Sequence, residues 1–202
     1  PEGPRQADRL PGRQPPGRGR GPGHPKIAGQ LLLSARWVVP VEPAGAVLEH
    51  HAVAVRDGAI EAVVPAQAGT RFANYERVEL PDHVLIPGLV NANTRAALAL
   101  MRGFSDPRRA AAEKRVLSAD FVRDGTALAC AEMLRGGITC FADRYFFPGA
   151  ALEAAQAAGM RVVLGLRVQD EPSAYASDSE DYLRKGLAFR DSAGDAARVS
   201  FC

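Results

Sequence analysis

The chain has 202 residues and a formal net charge of +2, with 47% hydrophobic and 24% charged residues. These values suit a water-soluble globular protein and exclude both a strongly basic nucleic-acid binder and an acidic chain too polar to fold. No run of about 20 apolar residues occurs and no apolar core of signal-peptide length, so a cytoplasmic chain without a membrane anchor is expected.

Residues 1–26, "PEGPRQADRLPGRQPPGRGRGPGHPK", are rich in Pro, Gly and Arg and carry almost no apolar side chains. Such a segment buries too little surface to offset its ordering entropy and reads as a disordered tail. Its Arg-Gly content admits an RNA-binding or targeting arm. The lack of aromatic residues for base stacking and of any amphipathic period favours a plain extension, and nucleic acid is not expected as a partner.

Residues 27–83 read as short strands of a small β-sandwich or open barrel. "LLLSARWVVPV" is apolar and β-rich, and "HAVAVRDGAIEAVVPA" is two short runs joined by Asp57-Gly58, a dipeptide suited to a tight hairpin turn. "YERVELPDHVLIPG" alternates apolar with polar residues and ends on a Pro-Gly turn. His50 and His51 are adjacent, so in a strand they point to opposite faces and share no metal; His83 lies in the last strand of this region.

From residue 84 to 202 the pattern changes to strand, helix, strand. "LIPGLVNANTRAALALMRG" runs strand, turn and helix. Ser118 is placed to cap the helix "DFVRDGTALACAEMLR", with Asp120 in its first turn and Phe121, Leu128, Ala131 and Leu134 on one face. Gly136-Gly137 ends that helix and "ITCFAD" forms the next buried strand. Pro148 opens a second helix, which Gly159 closes before the strand "RVVLGLRV"; residues 178–190 read as a third helix and "RVSFC" as a strand. The alternation implies a parallel sheet of four strands.

Cys130, Cys140 and Cys202 are odd in number and form no Cys-x-x-Cys pair, which suits buried free thiols in a reducing compartment. The four histidines, His24, His50, His51 and His83, lie in no recognisable acid-base pattern, so no cysteine nucleophile is expected and no histidine is assigned a catalytic role.

Taken in order, "LLLSARWVVPV", "VAVRDGAIEAV", "LIPGLVNANTRAALALMRG", "FVRDGTALACAEMLRGGITCFADRYFFP" and "AAGMRVVLGLRV" resemble the N-terminal half of the amidohydrolase superfamily. The branch they resemble holds the 5-methylthioadenosine and S-adenosylhomocysteine deaminases and the triazine hydrolases. The resemblance implies an α/β fold: a partial (β/α)8 barrel of about the first four strands, preceded by a small β-sandwich domain. It implies a family chemistry in which zinc or iron activates a water that attacks a purine or triazine ring carbon, releasing ammonia or chloride. It further implies a small-molecule substrate, the possibility of a homo-oligomer, two histidines in a His-x-His at the end of the first barrel strand, and further ligands on the fifth, sixth and eighth strands.

This chain departs from that pattern. "VNANTR" places Asn93 and Arg95 where the resemblance calls for the two histidines. A neutral amide oxygen is a poor zinc ligand, and a guanidinium has no lone pair to give. Either the ancestral site is lost, or the mouth is repurposed with Arg95 binding a carboxylate or phosphate. The segment "GFSDPRRAAAEKRVL" is shorter than the family's pocket-lining helix, so the pocket is expected to lose a wall. Cys202 falls at about the fourth barrel strand and the chain begins at Pro1, so a fragment with an open, unpaired sheet edge is expected. No catalytic residue, cofactor-binding residue or metal ligand is therefore assigned in this chain, and no cofactor is expected. Asp143 at a strand end is a base or ligand, or a cap for the following turn; Tyr145, Phe146 and Phe147 contact a ring substrate or form a hydrophobic cluster.

Overall fold

The computed structural model describes residues 29–104, 106–193 and 198–202. The tail over 1–26, with His24, lies outside them. The chain divides into two compact units, Pro1–Leu85 and Ile86–Cys202.

In the first unit β1 (Gln30–Val38), β2 (Leu48–Arg56), β3 (Ala59–Pro65) and β4 (Glu76–Leu85) form one sheet in the order β3-β2-β1-β4. The hairpin between β2 and β3 turns on Asp57 and Gly58, both at positive φ (50° and 80°), the paired left-handed geometry that matches the twist of a two-residue hairpin. β4 runs parallel to β1, so the sheet is mixed. Strand alternation sends Leu32, Ala52 and Ala54 to one face, where Phe72 and Tyr75 cover them, and Ala35, Val38 and Val53 to the other. The described strands of this unit all belong to this one sheet. His50 sits at positive φ (51°) within β2, and His51 shares a 2.7 Å hydrogen bond with the Glu49 carbonyl.

The second unit holds β5 (Leu89–Thr94), a 3₁₀ turn (Ala96–Met101), α1 (Asp106–Val116), α2 (Ala119–Arg135), β6 (Ile138–Asp143), α3 (Pro148–Ala157), β7 (Arg161–Leu164), α4 (Ser179–Ala193) and β8 (Val199–Phe201). Its four strands lie in sequence order, β5-β6-β7-β8, and every neighbouring pair is parallel, as the alternation requires. This is a mixed α/β unit with an open parallel sheet. Its core joins Phe141, Val162 and Leu164 of the strands to Val122 and Met133 of α2, Leu152 of α3 and Tyr182 of α4.

Ser118 caps α2 as expected, its hydroxyl accepting from the Phe121 amide at 3.1 Å, and Gly137 follows the helix at φ 78°. The packed face of α2 differs from the expected one. Val122, Gly125, Thr126, Ala129, Cys130 and Met133 are buried, while Leu128 and Leu134 are exposed. The reason lies at Gly125: a Cβ there would stand 2.3 Å from the Ala97 carbonyl oxygen, so the helix backbone presses directly on the 3₁₀ turn. Only a residue without a side chain at Gly125 allows that approach, and Leu128 and Leu134 are turned outward.

Two further expectations are corrected. β7 stops at Leu164 rather than running through "RVVLGLRV". Gly165 passes so close to the Arg144 side chain that a Cβ would lie 2.6 Å from its Cγ, and among the described residues only two further amides pair along the ladder, Gly165 with the Asp143 carbonyl at 2.8 Å and Leu166 with the Cys202 carbonyl at 3.1 Å. Of the three cysteines expected to be buried, Cys130 is buried, Cys140 is half-buried and Cys202, beyond the short strand β8, is exposed.

Candidate functional site

In a parallel sheet with its strands in one order, all carboxyl ends emerge on one edge, and loops from that edge meet. Here the edge gathers Asn93, Thr94 and Arg95 after β5, Asp143 and Arg144 after β6, and Gly165 to Gln169 after β7. Thr94 pairs in register with Asp143, and Asp143 with Leu164.

Asp143 is 1% exposed. Its Oδ1 accepts from the Ala96 amide at 2.8 Å and lies 2.9 Å from the Thr94 hydroxyl, which is also 3.0 Å from the Ala142 carbonyl. Burial pushes its pKa above the ordinary carboxylate value, against the opposing pull of the Ala96 amide, the Thr94 hydroxyl and the Arg144 amide. Rather than capping the turn that follows it, the side chain holds the start of the 3₁₀ turn on the neighbouring strand. Its Oδ1 is occupied by protein donors and the side chain is buried, which fits a structural role better than a base facing solvent.

The same edge carries three arginines. Arg144 donates to Asn93 Oδ1 at 3.2 Å, and Arg167 donates from Nε to Gln169 Oε1 at 2.8 Å while its guanidinium sits 4.3 Å from the Phe146 ring centroid. Arg95 is exposed beside the end of β5. Arg95, Arg144 and Arg167 line one cleft of about 480 Å³, with Thr94, Leu166, Val168 and Gln169. A second cleft of about 500 Å³ shares Arg95, Arg167 and Gln169 and is walled by Ala110, Glu113 and Lys114. The short segment after Gly103 therefore does supply a wall: α1 provides it, tied to the strand edge by the Tyr145 hydroxyl, which donates to Glu113 Oε1 at 2.7 Å.

The aromatic run resolves as a cluster. Tyr145 and Phe146 are buried in the core, edge-to-face at 5.1 Å, and Phe147 stacks edge-on against Tyr175 at 5.2 Å. Burial and the Glu113 carboxylate both push the Tyr145 phenol upward. The described histidines, His50, His51 and His83, all belong to the first unit's strands.

The donors at this edge do not fit a zinc or iron ion. Asn93 offers an amide oxygen already bonded to a cation, Arg95 offers none, and Asp143 is engaged by three donors. Among the described residues no three His, Cys, Asp or Glu side chains stand close enough to share a metal. Sequence reasoning singled out Asn93, Arg95 and Asp143 but missed Arg144 and Arg167. Their only signal in the sequence is position, just past a strand end.

Residues 84–196 match the model of the amidohydrolase family. The chain is 42% identical over 176 residues to a 5-methylthioadenosine/S-adenosylhomocysteine deaminase of Saccharophagus degradans, covering 82% of this chain and 40% of that protein. It is 37% identical over 169 residues to the deaminase of that name in Teredinibacter turnerae, covering 79% of this chain and 38% of that protein. The crystal structure of a zinc-bound adenosine deaminase from Xanthomonas campestris superposes with a TM-score of 0.78 at 37% identity, over 86% of this chain and 42% of that one. A triazine hydrolase from Arthrobacter aurescens shares the fold, with a TM-score of 0.70 at 17% identity over 86% of this chain and 46% of that one. The chain thus spans about two fifths of the length of the curated relatives it matches. By its matched residues and its parallel strand order, the chain belongs to the amidohydrolase family.

Proposed function

We propose that this chain is the N-terminal portion of an amidohydrolase-type hydrolase, of a lineage that hydrolyses C–N or C–Cl bonds of a purine nucleoside or a triazine. We also propose that the chain itself carries out no such reaction. The observation that carries the second part is the end of β5, where Asn93 and Arg95 put an amide and a fixed cation in place of two imidazoles. A Lewis acid that activates water needs neutral or anionic donors, and a guanidinium repels it. The matched relatives, named as deaminases acting on 5-methylthioadenosine and S-adenosylhomocysteine, supply the substrate class. In this reading residues 27–83 form the N-terminal part of a small β-sandwich, residues 84–202 form the first half of the barrel, and the protein is cytoplasmic. No helix among the described residues is long and apolar enough to cross a membrane.

Elemental analysis and an ammonia-release assay test this directly. The expected result is far less than one equivalent of zinc or iron in the purified chain and no ammonia from S-adenosylhomocysteine. One equivalent of bound metal, or turnover, overturns it.

A second reading, a half-barrel that associates with a partner chain or with itself, is favoured by β5. This strand lies at an edge of its sheet and leaves Leu89 and Val90 half or more exposed. Sedimentation analysis showing only a folded monomer at high concentration removes this reading.

A further inference from the structure

We propose that the cleft formed by Arg95, Arg144 and Arg167 is a binding site for a phosphate-type oxyanion carried on a small organic body. The proposal goes beyond the family reading, and it stands or falls independently of whether the chain binds metal.

Three different strand ends deliver one arginine each to a single cleft of about 480 Å³. Guanidinium groups stay charged at every physiological pH, so the cleft holds three permanent positive charges. No Asp or Glu side chain lines it; Cys202 lines it too, its main-chain oxygen accepting from the Leu166 amide at 3.1 Å. Among the described residues none of the three arginines takes part in an ion pair. The bonds that Arg144 and Arg167 make go to neutral amide oxygens of Asn93 and Gln169, and each uses one of five donors. Those two contacts aim the side chains without neutralising them.

Several arginines elsewhere in the chain are neutralised, though Arg198 at the opposite end of β8 bonds only a carbonyl. Arg56, Arg102, Arg123, Arg184 and Arg190 each have a carboxylate partner. A set of unneutralised guanidinium forks on one cleft, two of them held, is suited to bidentate recognition of an oxyanion, and the anion relieves the repulsion among them. Three cations match a phosphate group, with up to two negative charges and three free oxygens, better than a carboxylate with one charge. The cleft is larger than a bare phosphate needs, and Leu166 and Val168 give the remainder an apolar lining for an attached organic group.

Calorimetric titration of the full chain at low ionic strength, with inorganic phosphate, phenyl phosphate and acetate as probes, decides the matter. Saturable binding of one phosphate is expected, with phenyl phosphate tighter and acetate about tenfold or more weaker. Arg95→Gln, Arg144→Gln and Arg167→Gln should each weaken phosphate about tenfold, and the triple variant should abolish binding. Arg190→Gln, on α4 and outside the cleft, should leave it unchanged. Arg95→Gln removes a side chain that is exposed, and a circular-dichroism spectrum confirms that each variant is folded. Absence of saturable phosphate binding by the folded chain, retention of binding in the triple variant, or acetate binding as tightly as phosphate each overturns the proposal.

Discussion

Asp143 reaches across from β6 to accept the Ala96 amide at 2.8 Å, so a buried carboxylate fixes the point where the chain leaves β5. The 3₁₀ turn begun at Ala96 is the surface on which α2 packs through Gly125. One hydrogen bond thereby joins the strand edge to the main helix of the unit.

Replacing Asp143 should expose that coupling. Asp143→Ala leaves the Ala96 amide and the Thr94 hydroxyl without this acceptor, and a loss of about 2–3 kcal/mol in chemical denaturation is expected. The sign of the pH effect follows from the direction of the shift. Burial raises the folded-state pKa above the ordinary value of 3.8, so the native state binds more protons than the unfolded chain in that window. The contribution is fully present below 3.8 and is lost as pH rises through the raised folded value. Asp143→Asn, which keeps an acceptor and cannot ionise, should flatten this decline; an unchanged pH profile sinks the assignment.

Gly125→Ala sets two effects against each other. Alanine gains about 1 kcal/mol in helix propensity, while a Cβ 2.3 Å from the Ala97 carbonyl oxygen forces backbone apart at a typical overpacking cost of about 1–3 kcal/mol. The Ala97 atoms that the Cβ would meet are all backbone and do not give way easily, so net destabilisation is expected. A thermal midpoint equal to or above that of the parent chain contradicts this packing.

Thr126 is fully buried, and its hydroxyl has no hydrogen-bond partner among the described residues. An unsatisfied buried hydroxyl costs about 1–3 kcal/mol, and valine has nearly the same shape without it. Thr126→Val should therefore stabilise the chain by about 1 kcal/mol in urea denaturation, despite the small helix penalty of a β-branched residue that threonine already carries.

The cysteines should react in order of exposure. Burial, reinforced by the Asp143 carboxylate, raises the Cys130 thiol from 9.0 to about 11, so almost no thiolate forms at neutral pH. Iodoacetamide followed by peptide mass mapping should label Cys202 first, then Cys140, and Cys130 only after denaturant is added. Native labelling of Cys130 at the rate of Cys202 rules out this burial.

The sequence by itself determined the parts of this protein that depend on local chemistry and periodicity. Asp57-Gly58 specifies a hairpin because both positions must take positive φ, and Ser118 caps a helix because its hydroxyl is spaced to reach the Phe121 amide. Alternating strand and helix lengths dictate a parallel sheet, and the run around Asn93 and Arg95 lies in the stretch that matches the amidohydrolase family. Only the tertiary structure decided which face of α2 packs, because that choice was made at Gly125 by a backbone contact with Ala97, distant in sequence. The same holds for Asp143, whose partner lies on another strand, and for Arg144 and Arg167, ordinary residues in the sequence that become a charged cleft once parallel pairing brings their strand ends together. Periodicity records what each segment prefers to bury; it carries no information on which segments meet.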